Sequence, residues 1–416
     1  MSIDLCVLGL GYIGLPTASI FATRGKKVLG VDVVPHVVET INRGAIHIQE
    51  PDLDVLVRAA VHSGNLKASL KPEPAATFIV AVPTPFRATE TNPKAPDLTY
   101  VENATRSLAP VVAAGNLVIL ESTSPVGTTE KMRDWLFDEV AKVRPKDLEA
   151  LRGSLLFAHC PERILPGQML KELVSNDRIC GGVTTQAAEV ARDLYRLFCT
   201  GEIFLTDART AEMCKLTENA SRDVGIAFAN ELSLICDRLD IDVWELIKLA
   251  NRHPRVKILQ PGPGVGGHCI AVDPWFIVDS APDLARLIRT AREVNDDKPH
   301  RVVQRIQHCA RRFKQPVIAC LGLAFKADVD DLRESPAVDI VLELARHQVG
   351  RVLAVEPHVT ALPKGLVDAG VELRPLDVAV TEADVVVVLV NHRQFTHFNR
   401  RKLEGKAVID TRGMWR

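Results

Sequence analysis

The chain has 416 residues, which is enough for two or three domains, and its 47% hydrophobic and 25% charged residues are typical of a globular protein. Its 51 Lys and Arg residues nearly balance its 52 Asp and Glu residues, so no global positive field favours nucleic acid or an anionic membrane as a partner. Disordered, fibrous and strongly basic classes are therefore excluded, and an anionic ligand requires a local basic site.

The start of the chain and its cysteines predict a cytoplasmic protein. MSIDLCVLGLG enters a strand-like run at once, without the charged and apolar regions of a signal peptide. The apolar run 385–390 is too short to span a bilayer. Nine cysteines, an odd number with no CxxC pair, favour free thiols in a reducing compartment over a disulfide framework.

The first part of the chain alternates strand-like and helical segments. Strands are predicted at 5–8, 27–31, 77–82 and 117–121, and a helix at 15–24. A second helix is predicted after Thr99, because Glu102 three residues on completes a capping-box pattern. This alternation implies a parallel, doubly wound sheet with right-handed crossovers.

A long helical pattern at 210–239, continued at 243–250, precedes a second α/β part. There, strands are predicted at 317–321, 351–355, 385–390 and 407–410. Short segments of this part echo the first: VLGLG and CLGLA, VLGVD and VLAVE, FIVAVPTP and VVVVLVNH, GNLVILEST and GKAVIDTRG. The predicted fold class is α/β. It has two Rossmann-like doubly wound parallel-sheet domains, 1–205 and 301–416, joined by a central helical domain, 206–300, with one long helix.

A glycine-rich turn follows the first predicted strand and opens the first helix. Its glycines are Gly9, Gly11 and Gly14, in the spacing that permits a tight turn and lets a pyrophosphate approach N–H groups at a helix N-terminus. Asp32 ends the second strand, where it can accept from a ribose 2′-OH and repel a 2′-phosphate. The pattern predicts an NAD site, and the alternative is a purely structural turn.

Four further residues belong to the predicted NAD site. Tyr12 and Ile13 lie within the glycine turn. Thr84 in AVPTP and Thr123 in ESTSP follow strand-like runs, where open α/β sheets bind their ligands. Each threonine taken alone is more often a turn hydroxyl.

Cys269 lies in the glycine-rich segment PGPGVGGHC. A catalytic thiol needs close approach by the substrate and N–H groups that stabilise an oxyanion. Gly264, Gly266 and Gly267 predict an open, flexible backbone for both purposes. The alternative is an inert cysteine in the core.

Lys215, Asn219 and Arg222 stand at i, i+4 and i+7 of the long predicted helix, so they project from one stripe. The stripe could be a solvated face. The helix continues through the apolar VGIAFANELSLIC, which favours burial, and a buried stripe of an amine, an amide and a guanidinium requires a ligand or partners.

Several long motifs, in order along essentially the whole chain, resemble the UDP-glucose/GDP-mannose dehydrogenase family. They are VLGLGYIGLPTA, AVPTPF, ESTSPVGTTEK, CPERILPG, RTAEMCKLTEN, NRHPRVKILQPGPGVGGHCIAVDPWF, GLAFK, DDLRESPA and DTRGMWR. The resemblance implies a four-electron oxidation at C6 of a UDP-sugar that uses two NAD in succession. Cys269 would add to the intermediate aldehyde as a thiohemiacetal, and water would release the acid from the resulting thioester.

The resemblance also assigns roles to single residues. Lys215 would be a proton donor/acceptor that steadies the oxyanion and, as a cation, favours the thiolate. Asp273 would be a base or water organiser, and Asn219 would hold the oxygen at the reacting carbon. Glu162 and Thr123 match positions near the hydrolytic water and the cofactor.

The UDP-sugar site implied by the resemblance draws on residues from much of the chain: Arg163, Ile164, Lys215, Asn219, Arg222, His253, Arg255, Gly266, Phe325, Lys326 and Arg412. Its cations suit a diphosphate, because a guanidinium can bind phosphate with two hydrogen bonds. Arg333 would contact NAD. Each cation could also be an ordinary surface charge, and Arg412 near the C-terminus could simply be solvated.

The resemblance further implies a homodimer formed through the central helix, with Arg255 reaching the neighbouring subunit's site. Domain 1–205 would bind NAD and domain 301–416 the UDP-sugar. The cysteine loop reads GGHCIAVDP, whereas UDP-glucose dehydrogenases usually read GGxCxxKD. Together with NRHPRV, this favours an N-acetylhexosamine substrate, and UDP-N-acetyl-D-mannosamine best.

Three alternatives stay open. The first is the same chemistry on UDP-GlcNAc, UDP-glucose or GDP-mannose, and the second is a nucleotide-sugar-binding protein without chemistry. The third is a metal protein that uses His159 with Cys160 and His268 with Cys269, although adjacent pairs lack the usual spacing of zinc motifs. We predict no metal.

Overall fold

The computed structural model describes residues 2–48, 50–88, 94–164, 167–267 and 269–415. Two compact units divide the chain, Met1–Glu218 and Asn219–Arg416, and the division falls inside one long helix. In the described ranges, no helix is both long and apolar enough to cross a membrane.

The first unit is built around a mainly parallel sheet. Its strands are β1 (Ile3–Leu8), β2 (Val28–Val31), β3 (Leu66–Ser69), β4 (Ala75–Val80), β5 (Phe86–Arg87), β6 (Ala95–Pro96), β7 (Leu117–Leu120), β8 (Leu156–His159), β9 (Arg178–Gly182) and β10 (Ile203–Asp207). The order across the main sheet is β10-β9-β8-β7-β4-β1-β2-β3, and β5 and β6 form a separate antiparallel pair. Six neighbouring strands of the main sheet run parallel, as predicted. In their order across the sheet they are β3, β2, β1, β4, β7 and β8.

The far edge of this sheet departs from the predicted parallel pattern. Strand β9 pairs antiparallel with β8 and parallel with β10. The segment between β8 and β9 returns to the sheet at the edge where β8 ends, so β9 begins at that edge and runs back. The start of β9 therefore lies beside the carboxyl end of β8.

Helices cover both faces of the sheet: α1 (Gly14–Thr23), α2 (Pro35–Asn42), α3 (Leu53–His62), α4 (Thr99–Arg106), α5 (Thr128–Val143), α6 (Leu148–Arg152), α7 (Met169–Ser175) and α8 (Thr185–Tyr195), with a 3-10 turn at Pro145–Asp147. Alternate side chains of each buried strand enter opposite cores. In β1, Leu5 and Val7 join one hydrophobic cluster, and Cys6 and Leu8 join the other. This alternation is what a doubly wound sheet requires.

The long helix α9 (Ala208–Leu239) is followed by the remaining elements: α10 (Val243–Ala250), α11 (Asp273–Ser280), α12 (Arg286–Ala310), β11 (Val317–Leu321), α13 (Pro336–Arg346), β12 (Arg351–Val355), α14 (Lys364–Asp368), β13 (Glu372–Leu373), α15 (Leu376–Glu382), β14 (Val385–Val388), α16 (Arg393–Thr396), a 3-10 turn (Arg400–Leu403) and β15 (Ala407–Asp410). The second sheet is parallel in the order β13-β12-β11-β14-β15. It too has a core on each face.

The echo between the two halves extends to backbone geometry. Gly9 and Gly322 each follow the first strand of their sheet with a φ of +89°. The next residue, Leu10 or Leu323, donates its N–H to the acidic residue that ends the second strand, at 3.0 Å to Asp32 and 2.7 Å to Glu356. The predicted pair of Rossmann-like sheets is therefore confirmed.

The predicted capping box at Thr99 is wrong. Helix α4 begins at Thr99 itself, so this residue lies one position inside the helix, and Leu98 at the cap makes no side-chain bond. The N–H of Thr99 is bonded instead by the carboxylate of Asp97, at 3.0 Å. An acceptor two residues earlier has taken the place of the expected threonine.

Candidate active site

The glycine turn between β1 and α1 has two glycines fixed by packing and one that borders open space. A Cβ on Gly9 would lie 2.5 Å from the Ala81 carbonyl oxygen, and one on Gly14 would lie 1.8 Å from the carbonyl oxygen of Gly9. A Cβ on Gly11 would meet nothing within 4 Å. A structural turn explains the first and third glycines, whereas the second leaves room for a ligand at the N-terminus of α1, as an NAD diphosphate requires.

Asp32 anchors this turn. Its carboxylate accepts the N–H of Leu10 at 3.0 Å and the N–H of Val34 at 2.9 Å, and the side chain remains half-buried. Tyr12 and Ile13 are half-buried in the same turn, and Ile13 is the residue before α1. The negative charge beside the turn suits a ribose hydroxyl and disfavours a 2′-phosphate.

Thr84 and Thr123 follow the neighbouring strands β4 and β7 and lie together. The Thr84 hydroxyl donates to the Thr123 carbonyl oxygen at 2.7 Å, and both residues are half-buried. Strand β4 pairs with both β1 and β7, so this bond lies at the carboxyl edge of the sheet, next to the glycine turn that follows β1.

Glu162 is buried, and both of its oxygens have partners in the first unit. One oxygen forms an ion pair with the buried guanidinium of Arg178, and the other accepts the N–H of Arg163 at 2.7 Å. Arg163 itself pairs with Glu218 at 2.8 Å. Ile164 packs against the first hydrophobic cluster.

A second carboxylate lies beside this pair. Glu121 is fully buried after β7 and accepts from the Tyr195 hydroxyl at 2.6 Å and from the Thr17 hydroxyl at 3.3 Å. The guanidinium carbon of Arg178 lies 4.5 Å from the Tyr195 ring centroid. Burial raises the pKa of Glu121 to about 7, although the charge of Arg178 opposes the shift.

The long helix carries its polar stripe as predicted. Lys215 and Asn219 are half-buried one turn apart, and Arg222 is exposed. The side-chain amide of Asn219 donates to Asp273 at 2.5 Å. Asp273 is buried at the first position of α11.

Cys269 is exposed on the turn that leads into α11. Its carbonyl oxygen accepts the N–H of Val272 at 3.0 Å and the N–H of Asp273 at 2.8 Å. The turn therefore holds the thiol-bearing residue next to a buried carboxylate that is itself oriented by Asn219. This arrangement suits a nucleophile better than an inert core cysteine.

The glycines before Cys269 serve close packing, not the open backbone that the sequence led us to predict. A Cβ on Gly266 would lie 2.3 Å from the Glu334 carbonyl oxygen, and one on Gly267 would lie 3.2 Å from the Phe325 ring. The N–H of Gly267 donates to the same Glu334 oxygen at 3.2 Å. A Cβ on Gly264 would lie 2.9 Å from both Pro299 and Pro336.

The cations of the second unit that were predicted to bind substrate or NAD occupy different settings. The Lys326 ammonium lies 6.0 Å from the Phe325 ring centroid. Arg333 is exposed and forms a two-bond ion pair with Asp331. His253 and Arg255 lie on the exposed segment 251–257.

Arg412 is not simply solvated, which was the alternative for this residue. Its Nε donates to the Leu389 carbonyl oxygen at 2.9 Å, and its Nη1 would lie 2.7 Å from a Cβ on Gly262. Desolvation lowers the pKa of the guanidinium to about 10. The residue therefore lies against the start of the segment that leads to Cys269.

One set of family models matches nearly the whole chain. They describe the NAD binding domain at residues 3–199, the central domain at 209–297 and the UDP binding domain at 319–416. The chain belongs to the UDP-glucose/GDP-mannose dehydrogenase family. It is an NAD-dependent UDP-sugar dehydrogenase, and the predicted family, enzyme class and cofactor are confirmed.

Full-length relatives support this assignment. The chain is 60% identical to an NDP-N-acetyl-D-galactosaminuronic acid dehydrogenase of Ralstonia nicotianae, over 99% of this chain and 96% of the relative. It is 55% identical to a UDP-N-acetyl-D-mannosamine dehydrogenase of Yersinia pestis, over 99% of both. The structure of a UDP-D-ManNAc dehydrogenase from Pyrococcus horikoshii matches with a TM-score of 0.87 and 40% identity, over 100% of this chain and 96% of the other.

In this dehydrogenase, polar side chains contact one another at the carboxyl edge of the second Rossmann-like sheet. Glu356, the counterpart of Asp32, lies 3.1 Å from Nε2 of the buried His392. Nδ1 of His392 accepts the N–H of Asp328 at 2.9 Å, and the carboxylate of Asp328 pairs with Arg393. His358 completes this cluster, whose polar atoms are near enough for a metal. His392 and Asp328 already have protein partners, whereas the buried Nε2 of His358 makes no hydrogen bond within the described residues and lies 3.9 Å from the Asp328 carboxylate.

Sequence reasoning missed the buried ionic groups of this family member. Glu121 and Arg178 both flank strands, but their partners lie far along the chain, so no local spacing reveals them. The alternative of a metal at His159 and Cys160 gains no support, because in the described part of the chain neither residue belongs to a group of three or more potential ligands close enough together to hold an ion. His268 lies outside the described residues.

Proposed function

We propose that the chain oxidises UDP-N-acetyl-D-mannosamine at C6 to UDP-N-acetyl-D-mannosaminuronate, with Cys269 as the nucleophile. The observation that carries this proposal is the exposed Cys269 on a turn bonded to Asp273, whose carboxylate accepts the Asn219 amide at 2.5 Å. A thiol, a carboxylate and an amide held in one small region are the groups that a covalent oxidation needs.

The chemistry proceeds in two oxidations and one hydrolysis. NAD, when bound, accepts a hydride in each oxidation. Between them, the Cys269 thiolate forms a C–S bond with the aldehyde carbon, and the carbonyl oxygen takes a proton. The second oxidation turns this thiohemiacetal into a thioester. Water then attacks the thioester carbon, the C–S bond breaks, and the acid and the free thiol are released.

We assign the roles of the polar residues as the family resemblance implies. Lys215 exchanges the proton of the reacting oxygen and stabilises its negative charge, and Asn219 holds that oxygen. Asp273 is the base or water organiser, which its buried place at the start of α11 supports. Glu162 acts near the hydrolytic water, with its orientation set by Arg178.

The binding residues fall into two sets. For NAD we propose Gly9, Gly11, Tyr12, Ile13, Gly14, Asp32, Thr84, Thr123 and Arg333. For the UDP-sugar we propose Arg163, Ile164, Lys215, Asn219, Arg222, His253, Arg255, Gly266, Phe325, Lys326 and Arg412. The open space at Gly11 and the desolvated guanidinium of Arg412 support the two sets respectively.

A second candidate substrate is the nucleotide-linked N-acetylgalactosamine. It is favoured by the 60% identity to the Ralstonia NDP-N-acetyl-D-galactosaminuronic acid dehydrogenase, above the 55% identity to the Yersinia UDP-N-acetyl-D-mannosamine dehydrogenase. The loop GGHCIAVDP and the segment NRHPRV favour an N-acetylhexosamine in either case.

We also propose a homodimer formed through the central helix. Phe228, Ile235 and Leu239 are spaced by seven and four residues on α9 and are 54%, 44% and 60% exposed. Leu249 on α10 is 62% exposed. Apolar side chains at this spacing form one stripe, which a second copy of the helix could cover. We assign 1–205 to NAD, 206–300 to dimerisation and 301–416 to the UDP-sugar, and the cysteine usage supports a cytoplasmic location.

The test is the amount of NADH formed per nucleotide sugar by the wild type and by Cys269→Ser. We expect two NADH per UDP-N-acetyl-D-mannosamine for the wild type, and severely slowed turnover or a stalled ester for Cys269→Ser. Cys309→Ser, at a half-buried cysteine of α12, is the matched control and should behave as the wild type.

Two results would contradict the proposal. Unimpaired turnover by Cys269→Ser would refute the nucleophile assignment. A panel of UDP-linked N-acetylmannosamine, N-acetylgalactosamine, N-acetylglucosamine and glucose, with GDP-mannose, tests the substrate, and turnover of UDP-glucose alone would refute the substrate assignment.

A further inference from the structure

Glu212 is a buried carboxylate on α9, three residues before Lys215. It is 1% exposed. One oxygen accepts the N–H of Gly127 at 2.5 Å. The other accepts both the N–H and the hydroxyl of Thr129, at 2.7 and 2.6 Å. Three donors therefore converge on one side chain that the proposed mechanism does not use.

These donors form the N-terminus of α5. Gly127 is the cap residue, has a φ of +90° and offers no side chain of its own to bond the first N–H groups. Glu212 supplies the missing acceptor from another helix, and its negative charge suits the positive end of α5. The loop that leads into α5 also carries Thr123, whose carbonyl oxygen accepts from Thr84.

The position of Glu212 on α9 connects this loop to the polar stripe. Residues 212, 215 and 219 are separated by three and four positions, so Glu212 extends the stripe of Lys215 and Asn219 by one turn. The carboxylate thus bonds the proposed cofactor loop to the helix turn immediately before Lys215.

We propose that Glu212 is a positioning residue for the dehydrogenase reaction, fixing Lys215 relative to the loop that carries Thr123. This inference rests on the proposed roles of Lys215 and Thr123. The bonds are short, buried and made to a charged acceptor, which are the conditions under which a hydrogen bond restrains geometry most strongly.

The same two helices share a second contact that serves as a matched control. Arg209 pairs with Glu130 at 2.6 Å, but the two side chains are 62% and 34% exposed. An exposed pair of this kind contributes little to stability or geometry. Arg209→Gln therefore removes a link between α9 and α5 without touching the buried cap.

The test compares Glu212→Gln with Arg209→Gln. Glutamine keeps the shape of the side chain but replaces one acceptor oxygen with a donor, so Gly127 or Thr129 loses its partner. We expect Glu212→Gln to lower kcat about tenfold, equivalent to about 1.4 kcal/mol. We expect NAD affinity, measured by calorimetric titration with NAD alone, to fall at least about threefold. Arg209→Gln should leave kcat and the affinity for NAD within about twofold of the wild type.

A double-mutant cycle with Lys215→Ala separates positioning from general stability. If Glu212 acts through Lys215, adding Glu212→Gln to Lys215→Ala should lower the residual kcat by less than about twofold. Thr129→Val, which removes one donor and keeps the others, should lower kcat in the same direction by a smaller factor. It serves as the second variant if Glu212→Gln fails to fold.

Three outcomes would overturn the inference. These are a wild-type kcat in Glu212→Gln, an equal loss of kcat with and without Lys215, and an unchanged NAD affinity in Glu212→Gln. Failure of the proposed function has a different signature, because the wild type would then make no NADH from any sugar of the panel. The NAD titration still tests the inference in that case.

Discussion

Glu121 shows at the scale of a single residue how burial changes charge. It is fully buried between Thr17 and Tyr195, and burial raises its pKa from 4.5 to about 7. The folded state therefore binds this proton more tightly than the unfolded chain does. By linkage, the free energy of unfolding contributed by Glu121 is greatest below pH 4.5 and falls as the pH rises to about 7.

Glu121→Gln should remove this dependence. We expect the free energy of unfolding of the variant, relative to the wild type, to rise between pH 5 and pH 8 by on the order of 3 kcal/mol. Urea unfolding at both pH values measures it. Glu149→Gln, at a side chain that is 86% exposed, is the control and should track the wild type. If the free energy of unfolding changed with pH in the same way for Glu121→Gln and the wild type, the raised pKa assigned to Glu121 would be contradicted.

The elements differ in how well local sequence predicts them. Helix α10 and strands β11, β12 and β15 lie where the apolar patterns placed them, because each is a short periodic or β-rich run. The reversal of β9 could not be predicted, since it depends on where the preceding segment returns to the sheet. Glu212 was missed for a related reason, because its partner Gly127 is 85 residues away.

The turn before α1 offers a test at the scale of one element. Gly11→Ala adds a methyl group to open space, so we expect an unchanged melting temperature and a KM for NAD raised about tenfold or more, because backbone approach to the diphosphate is blocked. Gly14→Ala should instead destabilise the fold by on the order of 2 kcal/mol or more, because its Cβ would lie 1.8 Å from the Gly9 oxygen. Thermal unfolding and NAD titration distinguish the two. A wild-type KM for NAD in Gly11→Ala would contradict a diphosphate at this turn.

At the scale of the whole molecule, the two sheets share one architecture but differ in the side chains at their carboxyl edges. The first leaves open space at Gly11, whereas the second fills the corresponding edge with Glu356 and His392. The repeat accounts for the shared order of strands, and the family models describe an NAD binding domain at residues 3–199 and a UDP binding domain at residues 319–416. An enzyme that joins two such sheets can therefore assign the cofactor to one and the nucleotide sugar to the other.

The proposed dimer is the last test, and it concerns the apolar stripe on α9. The double variant Phe228→Asp/Leu239→Asp places two charges where apolar side chains would be buried, so we expect the dimer dissociation constant to rise at least about a hundredfold. Sedimentation at micromolar concentration should then show a monomer. Val143→Asp, at an apolar side chain that is 50% exposed on α5, is the matched control and should remain a dimer.

We expect the monomer to lose turnover while it keeps its fold, because the exposed Arg255 is proposed to bind the substrate of the neighbouring subunit. A double variant that remains dimeric would contradict an interface through α9, and a fully active monomer would contradict the role of Arg255.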